Sequence, residues 1–118
     1  MSGAFKGLSQ KQIDKRFREG RGQGLGSYYK PFIFTREVSS LGRSHRLFGR
    51  KSQRLHHLLS DLELAILLLL DWSPKILDIR EQFPLHVEDT LRLSSELGIA
   101  HSKYRDVRQV LTSDFVVD

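Results

Sequence analysis

The feature that most constrains this chain is its densest run of leucine. Leu55, Leu58, Leu59, Leu62, Ile66, Leu69 and Leu70 follow the three-to-four spacing of a helix, and Ala65, Leu67 and Leu68 make its later turns apolar nearly all round. A helix with so little polar surface is stable only when other elements bury it on more than one side. The spacing therefore predicts a central helix over 55–72, with Pro74 barring its continuation.

The other elements must be layers around it. Ser9 followed by Gln12 is a capping-box pattern, and with Ile13 and Phe17 it predicts a helix over 10–19 that Gly20 stops. Gly20, Gly22, Gly24 and Gly26 alternate with other residues and read as a mobile, extended loop, not a dinucleotide fingerprint, since no strand precedes them. The run 32–38 has strand composition, and with 44–48 it predicts a β-hairpin through a Gly42 turn. Lys75 to Phe83 reads as a strand with Leu77, Ile79 and Phe83 on one face. Val87 to Leu97 reads as a helix closed by Gly98 and Ile99. Val110 to Asp118 alternates as a final strand. Helix, hairpin, helix, strand, helix, strand suggests an α/β chain of the α+β kind, a mixed sheet with helices packed on it. A last strand with no neighbour after it suggests a fragment.

At 118 residues there is room for one domain. No cysteine is present, which excludes disulfides, thiolate zinc sites and a thiol nucleophile, and suits a reducing, intracellular compartment. The longest apolar run, Leu64 to Leu70, is far short of the ~20 residues of a membrane helix, so a soluble protein is expected. Charge is unevenly placed. Residues 1–57 hold 13 Lys/Arg against 3 Asp/Glu, and residues 58–118 hold 6 against 11, within a net charge of +5. A basic front beside an acidic rear suits a polyphosphate held over a carboxylate metal site, although a solvated basic face has the same composition. Arg43, His45, Arg46, Arg50, Lys51 and Arg54 form a cationic series interleaved with Leu47 and Phe48. Together with Arg16, Arg18 and Arg21 of the front segment they are the candidate phosphate contacts.

Two carboxylates stand out. Glu63 shares a helical face with Leu59, Ile66, Leu67 and Leu70, where an unpaired charge is costly and a divalent cation would compensate it. Ser60-Asp61-Leu62-Glu63 is equally a capping box, in which Glu63 only satisfies backbone donors. Asp114 lies among strand formers, where aspartate is disfavoured; metal ligation at a strand end and an edge or turn position both account for it. Asp118 has the edge reading with more weight. His45, His56, His57, His86 and His101 contain no His-x-x-x-His pair, so structural or surface roles are expected of them. Asp78, Arg80 and Glu81 either pair with one another or border the site.

In five collinear stretches the chain resembles the TnsA family, the endonuclease subunit of heteromeric, cut-and-paste transposases. They are 19–24 (Glu-Gly-Arg-Gly-Gln-Gly), 42–46 (Gly-Arg-Ser-His-Arg), 56–65 (His-His-Leu-Leu-Ser-Asp-Leu-Glu-Leu-Ala), 77–85 (Leu-Asp-Ile-Arg-Glu-Gln-Phe-Pro-Leu) and 113–115 (Ser-Asp-Phe). The resemblance implies a restriction-endonuclease-like fold, incomplete at the C-terminus, with residues 1–30 a basic helix and glycine-rich arm and 31–118 part of the nuclease core. It places Glu63 on the family's helix glutamate and Asp114 on its strand aspartate, as catalytic residues and ligands of Mg²⁺ or Mn²⁺. The family's lysine lies on a following Gln-Val-Lys-like strand, so residues 1–118 alone are expected to nick DNA little or not at all. The implied partners are double-stranded DNA at transposon ends, a TnsB-like transposase and a TnsC-like ATPase regulator. The implied setting is the bacterial cytoplasm at the nucleoid.

Two other classes compete. Residues 88–99 read like the first helix and turn of a helix-turn-helix, which then needs a recognition helix directly after Ile99. A non-catalytic protein-interaction module is the other.

Overall fold

The computed structural model describes residues 7–38 and 43–118. Helix α1 (Gln10–Arg18) starts where Ser9 caps it: the Gln12 backbone N–H donates to Ser9 Oγ, and the Ser9 N–H donates to the Gln12 side chain at 2.8 Å. Lys15, Arg16 and Arg18 in its last turn suit the negative end of the helix dipole. Strands β1 (His45–Phe48) and β2 (Leu55–Leu58) form a hairpin, followed by α2 (Asp61–Trp72), β3 (Ile79–Pro84) and α3 (Val87–Leu97). A two-residue hairpin, β4 (Lys103–Tyr104) and β5 (Val107–Arg108), leads to β6 (Thr112–Val117). Arg105 and Asp106 between β4 and β5 both have positive φ, as a tight hairpin turn requires.

The fold is α+β, as expected, but the single mixed sheet is not what forms. Among the described residues there are three two-stranded antiparallel sheets, β1–β2, β3–β6 and β4–β5. One core cluster, Leu58, Leu67 and Ile79 with Leu47, Leu64, Leu70, Ile76 and Phe115, lies where α2 meets the hairpin and the β3–β6 pair. A second joins Leu8 and Ile13 of the α1 region to Phe32, Ile33, Val107 and Val110.

Three expected elements shift, each because a tertiary partner outweighs local pattern. Residues 55–58 match helical spacing but are a strand, with His56 and Leu58 buried and Leu55 exposed. Strand geometry places His56 and the His57 N–H on the Glu81 carboxylate, and Ser60 restarts the chain as helix three residues later. Residues 32–38 form a 3-10 turn at Thr35–Glu37, so the hairpin pairs β1 with β2; the expected Gly42 turn lies outside the described residues. That turn brings the Glu37 carboxylate onto Arg21 and Arg16. The glycine-rich stretch is tied down. The Gly22 N–H donates to Lys30 O at 2.6 Å, and the Gly26 N–H to Asp78 Oδ2 at 2.9 Å. A Cβ at Gly22 would lie 2.3 Å from the Pro84 ring, so only glycine allows this approach.

One buried network joins the hairpin to β3. Glu81 is fully buried; both its oxygens accept from Arg54, His56 Nδ1 lies 2.9 Å away, and the His57 backbone N–H donates at 2.7 Å. Arg54 also donates to the carbonyls of Ile79 and Leu55, and Ser52 Oγ closes the far side of the His56 ring at 2.6 Å. Burial by itself raises the Glu81 carboxyl, but the hydrogen bonds from His56 and Arg54 outweigh it and hold the group at about 2.

A depressed carboxyl stabilises the fold above its unfolded value near 4.5, and that contribution is lost as pH falls towards the folded value of about 2. Urea denaturation should therefore show stability dropping by roughly 3 kcal/mol between those limits, at 1.36 kcal/mol per unit. The Glu81→Gln variant, already less stable because Arg54 loses its counter-charge, should lose less stability across the same window, the remainder coming from carboxylates such as Glu37 that are also held low.

Candidate active site

Glu63 sits in the first turn of α2, and its backbone N–H donates to Ser60 Oγ at 3.1 Å. Its carboxylate also serves as a cap: the Leu59 N–H reaches Oε1 at 3.3 Å and the Ser60 hydroxyl reaches Oε2 at 3.2 Å. The two readings of this residue are thus not exclusive. A third donor comes from a different element, the Gln82 side-chain amide of β3, 2.8 Å from Oε1.

Asp114 arrives on β6. The β3–β6 ladder pairs Glu81 with Phe115 and Phe83 with Ser113, so Asp114 stands across from Gln82. Asp114 is exposed, and its carboxylate has no hydrogen bond or ion pair among the described residues. Its charge nevertheless reaches Glu63. Burial is the main cause that raises the Glu63 carboxyl above the ordinary range, and the Asp114 charge raises it further, against the bonds from Leu59, Ser60 and Gln82. Gln82 links the two elements: its amide holds Glu63 of α2, and its strand position faces Asp114 of β6.

Such a pair suits a hard cation. Two like charges near one another are unfavourable alone, and the free Asp114 oxygens are oxygen donors of the type Mg²⁺ takes. Among the described residues no group of three or more His, Cys, Asp or Glu could enclose a metal. Two carboxylates still fit Mg²⁺, which keeps several waters and takes its remaining ligands from substrate phosphate.

The expected phosphate contacts divide. Arg16, Arg21 and Arg54 are buried and bonded within the fold. Arg16 and Arg21 donate to Phe32 O and face Glu37, and Arg54 is held by Glu81. Burying a guanidinium requires a counter-charge, and Glu37 and Glu81 supply it. Arg18, Arg43, Arg46 and Arg50 are exposed and Lys51 is half-buried. Arg43 pairs with Asp61, and Arg50 stacks on Trp72 at 3.8 Å from the ring centre. The Arg50 and Lys51 N–H groups both donate to the buried Asp71 carboxylate, which anchors the β1–β2 turn to the end of α2.

Asp78, Arg80 and Glu81 do not pair with one another: Asp78 takes the Gly26 N–H, Arg80 meets Asp118 at 3.0 Å, and Glu81 meets Arg54. His45 bonds Asp61, His56 bonds Glu81, His57 accepts the Thr35 N–H, and His101 bonds Thr90. After α3 closes on a left-handed Gly98, with the Ile99 N–H on Ser94 O, the chain enters the β4–β5 hairpin. No recognition helix follows, which removes the helix-turn-helix reading. An open cleft of about 490 Å³ between α1, α3 and β5 is lined by neither Glu63 nor Asp114.

Gln82 escaped the sequence reading. Its place between charged Glu81 and apolar Phe83 gave no local sign that its side chain would turn onto Glu63.

No protein-family model matches the chain. Over all 118 residues it is 51% identical to the transposon Tn7 transposition protein TnsA of Escherichia coli, and it spans 43% of that protein's length. The chain is thus TnsA-like from end to end, which fits the restriction-endonuclease-like expectation and the α+β elements observed. No helix among the described residues is long and apolar enough to cross a membrane.

A carbon-detected NMR titration should find the Glu63 carboxyl above the ordinary glutamate range, and Asp114→Asn should lower it. Because a raised carboxyl contributes stability that is lost as pH rises through it, Asp114→Asn should also soften that loss. An unchanged Glu63 titration in the variant would show that the two charges are not coupled.

Proposed function

We propose that this chain carries the carboxylates of a DNA endonuclease that acts in transposition, with Glu63 and Asp114 binding Mg²⁺ or Mn²⁺ for phosphodiester hydrolysis at the 5′ side of transposon ends. The observation that carries this reading is that Gln82 holds the Glu63 carboxylate from the strand position facing Asp114, in a chain similar throughout to a transposition protein. On the same reading the working assembly includes a TnsB-like transposase, a TnsC-like ATPase regulator and duplex DNA.

The chain's own residues would prepare the site as follows. Leu59, Ser60 and Gln82 hold the Glu63 carboxylate against rotation, so little reorganisation is needed when a cation arrives. Asp114, free of protein partners among the described residues, completes the pair from the exposed side. The cation, when bound, would polarise the scissile phosphate and make water a stronger nucleophile at neutral pH. Arg18, Arg43, Arg46, Arg50 and Lys51 are the remaining candidates for holding the DNA backbone, which they would position without reading sequence.

A second reading has an observation of its own. Leu69 and Trp72 of α2 are 75% and 67% exposed, and Leu77 is 78% exposed, an apolar surface of the kind that docks another protein. Salt separates the two contacts, since DNA binding through phosphates weakens log-linearly with salt whereas an apolar contact persists.

Mn²⁺ added to the 118-residue chain should broaden amide signals at the start of α2 and along β6, and Glu63→Gln or Asp114→Asn should abolish this. On a DNA duplex, Arg46→Ala should lower the slope of log affinity against log salt by about 0.9, one phosphate contact. Broadening that survives both carboxylate substitutions would sink the metal assignment.

A further inference from the structure

We propose that Gln82 is a positioning residue: a left-handed kink in β3 turns its buried amide onto Glu63 and fixes the orientation in which that carboxylate meets a divalent cation. The proposal rests on the metal reading above and deepens it.

Among the described residues, non-glycine positive φ occurs at Gln53, Gln82, Arg105 and Asp106, and only Gln82 lies inside a strand. Its φ of 49° removes it from a ladder that otherwise runs in constant register from Ile79↔Val117 to Pro84↔Thr112. A non-glycine residue held in the left-handed region is strained, and persists only where the surroundings over-determine it. They do so here. The Gln82 carbonyl accepts from the Phe32 N–H at 3.0 Å and lies 3.4 Å from the Tyr29 hydroxyl, while the residue is only 2% exposed. What the kink provides is the contact at its tip, Nε2 to Glu63 Oε1 at 2.8 Å, directly across from Asp114.

The chemistry of the amide fits the role. Facing an ionised carboxylate, only the NH₂ end of glutamine can donate, so its orientation is forced. A Lys or Arg at 82 would hold Glu63 equally well but repel an incoming cation, and an acid would repel Glu63. A neutral donor fixes one carboxylate oxygen without neutralising the charge the cation needs. Partners of this kind around metal ligands typically account for 10- to 100-fold in metal affinity.

The test uses Mn²⁺ and the 118-residue chain, with affinity read from paramagnetic broadening at α2 and β6. Gln82→Met keeps the volume but removes the donor, and Gln82→Gly removes the donor while relieving the kink. Both should bind Mn²⁺ about tenfold more weakly, with dispersed spectra showing an intact fold. Gln53→Gly, which relieves positive φ away from the site, should leave affinity unchanged. Should Gln82→Met misfold, Gln82→Gly decides alone. Affinity within about twofold of the unmodified chain, with Glu63→Gln still abolishing binding, overturns the positioning role and leaves the metal site standing. No Mn²⁺ binding sensitive to Glu63→Gln overturns both.

Discussion

The buried Glu81–Arg54 pair is the constraint on which the rest of the structure depends. The Glu81 carboxylate is fully buried and takes up Arg54, the His56 ring and the His57 backbone N–H, so it fixes where β2 packs against β3. Replacing such a pair with apolar residues can leave stability unchanged or improve it, whereas removing one partner is severe. What the pair contributes is placement: Arg54, His56 and the His57 N–H are all satisfied by the one carboxylate of Glu81. Since α2 begins three residues after β2 and Gln82 follows Glu81 directly, that placement also helps decide where Glu63 stands relative to β6.

The same economy governs the basic front of the chain. Arg16 and Arg21 converge on Glu37, and Arg54 on Glu81, so part of the positive charge is consumed in holding loops to the core. Asp71 does similar work from the other sign, receiving the N–H groups of Arg50 and Lys51. Arg46 and Arg50 stay exposed on the β1–β2 hairpin, an element that these buried contacts hold in place.

Much of the fold was legible because it is local. Ser9 with Gln12, Gly98 with Ile99, and the alternation in 112–117 each mark an element within a few residues, and each forms as expected. The hairpin at 32–48 and the helical start at 55 were misread for one shared reason. Leu55, Leu58 and Leu59 fit helical spacing, and nothing nearby reveals that His56 will meet Glu81, a residue 25 positions away. Glu37 likewise gives no local sign of its two arginines. The candidate site follows the same division: Glu63 and Asp114 were visible as charges in apolar company, Gln82 was not.

By itself the sequence determined the caps and turns, the apolar helix that must be buried, and the two carboxylates that stand out from their surroundings, because all of these depend on short-range spacing and side-chain polarity. Only the tertiary structure decided which arginines face inward, that β2 is a strand, and that a kinked glutamine joins Glu63 opposite Asp114. Those outcomes turn on which distant groups satisfy a buried charge, and a charge has no periodicity from which its partner can be read.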